Sequence, residues 1–412
     1  MKVLIVALPQ KISKNQFEPL ELAPMAIYLL ASILMKNKHE VSIIDPCEFI
    51  QYEHKGDIEE LCAQYIMKKI SSKDIQLIAF SVNSFNWSNT KVIIQRIADN
   101  FPDVKIALGG LHPSIFDKHV LESSDAHIVM RGEGEKIIVN LCNALEYNMT
   151  LEGVKGITYK LNGNVLRNED EIELTVEEME NTPYPAYELL PSSNPYTQLP
   201  VETSRGCRFS CAFCSIPHRR NWRGLSVEHV IKRVKHALQF KDNINRGTRL
   251  LFVDDCFTAN GERAINVFKK LHRLYGYTEK VFIEARVTDI LKNQILQNIP
   301  LQMVLSMRIG VECGYNEGLK KIRKGLTVEQ LFSALEILKQ YQFDKHCFLS
   351  FIIPAPCTIG SRMKAASSSA CFSSRCSNGR MSSGFHSSPN REEGAGRKWR
   401  MGSAEPKILC IP

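Results

Sequence analysis

The stretch Cys207-Arg-Phe-Ser-Cys211-Ala-Phe-Cys214 decides how the rest of the chain is read. It follows Leu199-Pro-Val-Glu-Thr-Ser204, which reads as a strand, and Arg205-Gly206, which reads as the turn leaving it. Three cysteines this close in sequence face one point only if the backbone loops around that point. Three thiolates are one fewer than a closed structural zinc or iron–sulfur site takes. A 4Fe–4S cluster held by three thiolates keeps one iron open for a small molecule. A zinc knuckle with His218 as fourth ligand is the competing arrangement. It accounts for neither the large domain that follows nor the domain in front.

Outward from this loop, strands alternate with helical patterns. Downstream, a helix over 226–240 is capped by Ser226. A strand over 248–253 ends in Asp254-Asp255, and a helix spans 261–274. A strand over 280–285 is followed by Arg286, and a helix spans 291–298. A fourth strand covers 306–312. Thr327-Val-Glu-Gln330 is a capping box opening a helix to about Tyr341, and a fifth strand covers 346–353. Upstream, strands are expected over 2–8, 40–45, 75–81, 104–108 and 126–130, with helices over 21–35, 58–70 and 90–99 between them. Such alternation implies parallel sheets with right-handed crossovers. Their ligands bind where strand ends meet helix starts.

The loops at the upstream strand ends carry Ser81-Val-Asn-Ser84, Gly109-Gly-Leu-His-Pro113 and Arg131-Gly-Glu-Gly134. Glycines there let the backbone approach a flat or phosphorylated ligand closely. At the downstream strand ends stand Asp254, Asp255, Arg286 and Glu312, with Tyr315 and Asn316 beyond. Residues 146–200 read as a connection: a small hairpin turning at Asn162-Gly163, an acidic stretch, and Thr182-Pro-Tyr-Pro-Ala-Tyr187, whose prolines favour extended backbone.

The C-x3-C-x2-C spacing, with Phe213 before the last cysteine, resembles the signature of the radical S-adenosylmethionine (SAM) enzymes. The resemblance implies a partial (β/α) barrel with its site at the strands' C-terminal ends. It implies a 4Fe–4S cluster on Cys207, Cys211 and Cys214, with SAM on the open iron and reductively cleaved to a 5′-deoxyadenosyl radical. It assigns Phe213, Asp254, Asp255, Arg286 and Glu312 to SAM. An aspartate would take the SAM ammonium, and Arg286 would pair with the SAM carboxylate or with Glu312. Ile309-Gly-Val-Glu-Cys-Gly314 is similar to the family's fourth-strand motif.

The first 145 residues, with Glu21-Leu-Ala-Pro-Met-Ala26 opening the first helix, resemble the Rossmann-like (flavodoxin-like) cobalamin-binding domain of one branch of that family. The branch holds class B methyltransferases and anaerobic magnesium-protoporphyrin ester cyclase-like proteins. The resemblance implies cobalamin contacts at Pro24, Ser81, Ser84, Gly109, Gly110, His112, Gly132, Glu133 and Gly134. The D-x-H-x-x-G motif that supplies a cobalt-binding histidine elsewhere is absent, and His112 is not that histidine. Cobalamin is therefore expected without a protein histidine on cobalt. An alternative is a flavodoxin-like domain with a different site.

The expected activity is methyl transfer to an unreactive carbon of a small-molecule or peptide substrate, with flavodoxin or ferredoxin as electron donor. A cyclase or rearrangement catalyst, or a non-catalytic cofactor-binding remnant, is the alternative.

Composition sets outer bounds. The chain has 412 residues, enough for two or three domains. It contains no apolar run of about 18 residues, so no membrane span is expected, and the short apolar N-terminus reads as a buried strand and not a signal peptide. Thirteen cysteines scattered through apolar segments fit a reducing cytoplasm. The net charge is +8, but residues 361–412 carry nine Lys or Arg against three Asp or Glu, a balance of +6. The remaining 360 residues carry only +2, which argues against a nucleic-acid partner.

The expected domains are 1–145, a hairpin and linker over 146–198, an incomplete barrel over 199–357, and a disordered Ser/Arg-rich tail over 358–412. Composition changes abruptly after Pro354. Two readings are a disordered tail and a shifted reading frame; the second is preferred because the resemblance stops inside a motif. It leaves the fifth strand as an open edge.

Overall fold

The computed structural model describes residues 1–13, 16–216, 218–243, 249–292, 294–352 and the strand 407–411. The first sheet is built on Lys2–Ala7 (β1), whose apolar residues leave no polar face. Val3 and Ile5 enter one core while Leu4 and Val6 enter the other, because successive strand residues point to opposite faces. This is the pattern of a strand covered by helices on both sides.

After a short ribbon of Lys11–Ser13 (β2) and Gln16–Phe17 (β3) come Glu40–Ile44 (β4), Leu77–Ser81 (β5), Lys105–Gly109 (β6) and Ile128–Met130 (β7). Their order is β4-β1-β5-β6-β7, all parallel. That is the flavodoxin-like doubly wound order, whose ligand crevice lies at the C-terminal strand ends beside the switch point.

The hairpin Ile157–Leu161 (β8) and Asn164–Arg167 (β9), expected as part of a linker, is instead the antiparallel edge of this sheet, joined to β7. An antiparallel edge on a parallel sheet is common, and it removes an open edge from the buried strands. Asn162 and Gly163 turn it with φ of 50° and 80°, as expected for an Asn-Gly turn.

The second sheet runs β10-β13-β14-β15-β16-β17, all parallel. Its strands are Gln198–Val201 (β10), Arg249–Phe252 (β13), Val281–Arg286 (β14), Val304–Glu312 (β15), Cys347–Ile352 (β16) and Lys407–Ile411 (β17). Between β10 and β13 a ribbon, Ser204–Arg205 (β11) with Arg223–Gly224 (β12), closes the cysteine loop at its neck. The helix expected over 291–298 is two short ones, Val287–Lys292 and Ile295–Asn298.

The tail expectation is corrected at one place. Lys407–Ile411 pairs in parallel with β16, from Phe348↔Lys407 to Ile352↔Ile411, so the barrel sheet has a sixth strand and β16 is not an open edge. The run Lys-Ile-Leu-Cys-Ile has the β-branched, apolar character that an unpaired strand edge accepts. The tail expectation for 358–406 lies outside the described residues.

The two sheets share one core. It includes Ile27 and Tyr28 of the helix Met25–Lys36, Tyr187 and Tyr196 of the connection, and Leu199 and Phe252 of the second sheet. Asp45, at the end of β4, is fully buried and accepts hydrogen bonds from both Tyr28 and Tyr196. A buried carboxylate needs such partners, so this acid ties the connection to the first sheet.

Candidate cofactor sites at the two sets of strand ends

Gly206 opens the cysteine loop with φ of 77°; a Cβ there would lie 2.2 Å from the Asn221 carbonyl oxygen and 2.7 Å from that of His218. Only glycine fits this crossing. The Asp255 carboxylate accepts from the Gly206 N–H at 3.0 Å. Inside the loop, the Cys207 N–H donates to the His218 carbonyl at 3.3 Å and the Cys214 N–H to that of Cys211 at 3.2 Å. The Ala212 N–H donates to the Ile322 carbonyl at 2.8 Å, which fixes the loop over the segment beyond β15. Cys207 and Cys211 are buried and Cys214 is half-buried; all three are free thiols. Burial pushes the Cys207 and Cys214 thiols up.

His218 does not complete a zinc knuckle. Its Nδ1 bonds Glu173 at 2.8 Å, and its Nε2 lies 3.5 Å from Glu133. Among the described residues, no three His, Cys, Asp or Glu side chains are grouped to hold a metal ion. A cluster is wider than a single ion and takes its thiolates at a wider spacing.

Asp254 is not available to SAM, contrary to the sequence expectation. It is buried, and its oxygens accept from the N–H of Thr203 at 2.7 Å, the N–H of Ser204 at 2.9 Å, the Ser204 hydroxyl at 2.8 Å and the Thr203 hydroxyl. It holds the turn that launches the cysteine loop. Asp255 keeps one oxygen outside the bond to Gly206 and is exposed at the loop's mouth.

The expected Arg286–Glu312 pair is also replaced. Glu312 pairs with Lys324 at 2.9 Å; Lys324 is buried, and the Glu312 side chain is nearly so. Glu312 has φ of 72°, a backbone cost for a non-glycine residue that persists only where surroundings impose it. A Cβ at Gly310 would lie 2.5 Å from the Glu312 carboxylate and 2.8 Å from Lys324 Nζ. Lys324 also stands 5.7 Å from the ring centre of Phe213, which is half-exposed beside Cys214. The basic run Arg323-Lys324 reads as surface in sequence, and no spacing marks Lys324 as buried.

Arg286 supplies the test of whether these residues suit a thiolate-bound cluster. Its Nη1 donates toward Cys211 Sγ at 3.7 Å, and its guanidinium lies 3.5 Å from the ring centre of Phe209. Its Nε is buried without a hydrogen-bond partner. A buried cation aimed at a thiol sulfur suits three anionic thiolates, so the residues fit.

At the first sheet, Ser81, Ser84, Gly109, Gly110, His112, Gly132 and Gly134 all gather at the C-terminal strand ends. Pro24 precedes the helix Met25–Lys36. Gly110 has φ of 104°, and a Cβ there would lie 2.5 Å from the Val82 carbonyl oxygen. His112 Nδ1 bonds the Ser84 hydroxyl at 3.0 Å, and its ring stacks on Trp87 at 5.5 Å. Phe85, Leu111, Ile115 and Phe116 are exposed around it. These four were not singled out in sequence, because apolar residues outside strand periodicity carry no signal. An open apolar platform with glycine backbone fits the broad face of a corrin.

Glu133 departs from the cobalamin expectation. It accepts from Arg223 Nη2 at 2.7 Å and the Leu174 N–H at 2.6 Å, and pairs with Arg205 at 3.3 Å. Burial alone would raise its carboxyl; Arg223 and Arg205 more than offset this and hold it below the usual range. Arg205 also pairs with Glu135 and Glu202, each at 2.5 Å. Arg205 and Arg223 form the neck of the cysteine loop, so this network clamps the two sets of strand ends together. Beside it lies a cavity of about 230 Å³ lined by Ser114, Arg131, Gly132, Glu173 and His218 among others.

Residues 19–142 match the B12 binding domain and residues 201–355 the Radical SAM superfamily. An uncharacterized methyltransferase of Pyrococcus horikoshii is 29% identical over 366 residues, covering 86% of this chain and 74% of that protein. The 4′-phospho-dehydrooxetanocin synthase of Priestia megaterium is 27% identical, over 66% of this chain and 40% of its own length. The hopanoid C-3 methylase of Methylococcus capsulatus is 22% identical, over 78% and 59%.

Among solved structures, the cobalamin-dependent SAM radical enzyme OxsB with aqua-cobalamin superposes with a TM-score of 0.71 at 24% identity, over 85% of this chain and 49% of OxsB. The radical SAM methyltransferase TsrM of Kitasatospora setae gives 0.67 at 15% identity, over 86% and 68%. The chain thus spans about half of OxsB. With a B12 binding domain joined to a radical SAM domain, it belongs to the cobalamin-binding branch of the radical SAM superfamily.

Proposed function

We propose that the chain transfers a methyl group to an unreactive carbon of a small-molecule or peptide substrate held between its two sets of strand ends. The observation that carries this reading is the clamp: Arg205 and Arg223, at the neck of the cysteine loop, are ion-paired to Glu133 and Glu135 beyond β7. It joins the neck of the cysteine loop to the glycine loop that follows β7.

Cys207, Cys211 and Cys214 would hold a 4Fe–4S cluster. Phe213, Asp255, Glu312 and Arg286 would hold SAM. Pro24, Ser81, Ser84, Gly109, Gly110, Gly132 and Gly134 would lie against cobalamin, with His112 packed beneath. When bound, the cluster supplies one electron for cleaving SAM, and cobalamin supplies a transferable methyl group. The protein contributes position and exclusion of water. Glu312 accepts a hydrogen bond from Lys324 and would accept one from the SAM ammonium. Asp255 holds the Gly206 N–H with one oxygen, and its other oxygen would be free to accept from SAM. Electrons would come from a flavodoxin or ferredoxin in the cytoplasm. Among the described residues no helix is long and apolar enough to cross a membrane.

The test is anaerobic reconstitution with iron and sulfide, followed by SAM and a reductant. Wild-type protein is expected to carry one cluster and release 5′-deoxyadenosine. Replacing the three cysteines by alanine should abolish cluster iron, while cobalamin remains bound. Unchanged iron in that variant would sink the assignment.

A further inference from the structure

We infer that Arg286 is a positioning residue that raises the reduction potential of the cluster through Cys211, separately from any contact with SAM. The inference rests on the cluster assignment above. Arg286 ends β14 and is 8% exposed. Its Nη2 donates to the Lys324 carbonyl, its Nη1 points at Cys211 Sγ, and Phe209 of the cysteine loop lies flat against it. Among the described residues it forms no ion pair with a carboxylate, because Glu312 is taken by Lys324.

A buried guanidinium requires an anion, and among the described residues no carboxylate stands within ion-pair distance of this one, Asp289 acting on it only from farther away. Three ligating thiolates supply that anion. A 4Fe–4S core with three thiolates is net negative and becomes more so by one unit on reduction. A fixed cation and an N–H directed at a ligand sulfur favour the more negative state. Hydrogen bonds to the sulfurs, net charge and burial are the levers that set such potentials. Low local dielectric strengthens the effect. Phe209 and the Lys324 carbonyl hold the guanidinium on both sides, so its charge is fixed at Cys211 and does not wander to solvent.

The experiment is a redox titration of the reconstituted full chain without SAM, followed by the electron paramagnetic resonance signal of the reduced cluster. Wild type, Arg286→Lys and Arg286→Gln are compared at measured iron content. The midpoint is expected to fall in Arg286→Gln and to fall less in Arg286→Lys. An unchanged midpoint in Arg286→Gln at equal iron would overturn the inference and leave Arg286 as a SAM contact, seen only as weaker SAM binding. If Arg286→Gln takes up no cluster, Arg286→Lys decides. Uptake restored by lysine supports a requirement for charge, and failure of lysine as well overturns it. Wild-type protein that takes up no iron would instead defeat the cluster assignment itself.

Discussion

At the strand ends of the first sheet, Phe85, Leu111, Ile115 and Phe116 stand in solvent, Phe85 at 64% exposure. At those of the second, Arg286 and Lys324 are buried, and Lys324 is paired with Glu312 beneath the cysteine loop. Both are C-terminal ends of parallel strands, and both carry glycines at positive φ. The open face presents surface and backbone, so it suits a broad ligand recognised by shape. The closed face presents charges out of water, so each group there depends on a specific partner. Substitutions should therefore cost stability at the second face and affinity at the first.

The largest stability effect is expected at Lys324. Removing one member of a buried ion pair leaves the other charged and unpaired, which costs about 3–5 kcal/mol. Lys324→Met should lower the unfolding free energy from denaturant titration by an amount in that range, measured on cluster-free protein. The double variant Lys324→Met with Glu312→Leu should recover most of the loss, because two apolar groups of similar volume replace the pair. A single variant as stable as wild type would show that the second face is not closed in solution, and the contrast between the faces would fail.

A smaller effect is expected from acid at the clamp between the faces. Glu133 and Glu202 are buried, which would raise their carboxyls, but the arginines beside them hold both below the ordinary value of 4.5. A depressed carboxyl contributes stability that is present above its unfolded value and lost as pH falls through the folded one. Amide protection factors, which correct for the intrinsic pH dependence of exchange, should therefore be steady at 202–206 and 131–135 from neutral pH to about 4.5 and fall together below it. The loops at 84–86 and 111–116, which lack such pairs, should show no step in that range. Protection falling at the clamp already near neutral pH would show that these carboxylates are not held ionised by their arginines.

The sequence resolved the periodic parts well, because strand alternation and helix caps are local signals. The capping box at Thr327, the Ser226 cap and the Asn162-Gly163 turn all stand where the residues place them. The cysteine loop was legible from its spacing. What sequence did not disclose depends on contacts distant along the chain. Asp254 and Glu133 look like free acids at strand ends, yet one is consumed by Thr203 and Ser204 and the other by Arg223. Lys324 looks like surface because burial of a lysine depends on its partner. β17 was hidden because its five residues follow a long stretch without apolar periodicity.

The smallest expected effect lies on the open face. Burying part of one exposed phenylalanine against a ligand contributes about 1 kcal/mol, or roughly five-fold in affinity. Phe85→Ala and Phe116→Ala should each weaken cobalamin binding by about that factor, measured by titration of the full chain. Their unfolding free energies should stay within about 0.5 kcal/mol of wild type, as for surface positions generally. His112 sharpens the same point. Burial holds its pKa below the usual histidine range, so the ring is neutral at pH 7, yet that does not make it a ligand. Its Nδ1 is used by Ser84, and its Nε2 is buried beneath the platform. Neither ring nitrogen faces the open side. The Co(II) spectrum of the bound protein should therefore show no nitrogen splitting from a histidine, and His112→Ala should leave it unchanged. Splitting that vanishes in His112→Ala would mean that the ring turns outward on binding, and the first face would then recognise its ligand by a specific partner, as the second does.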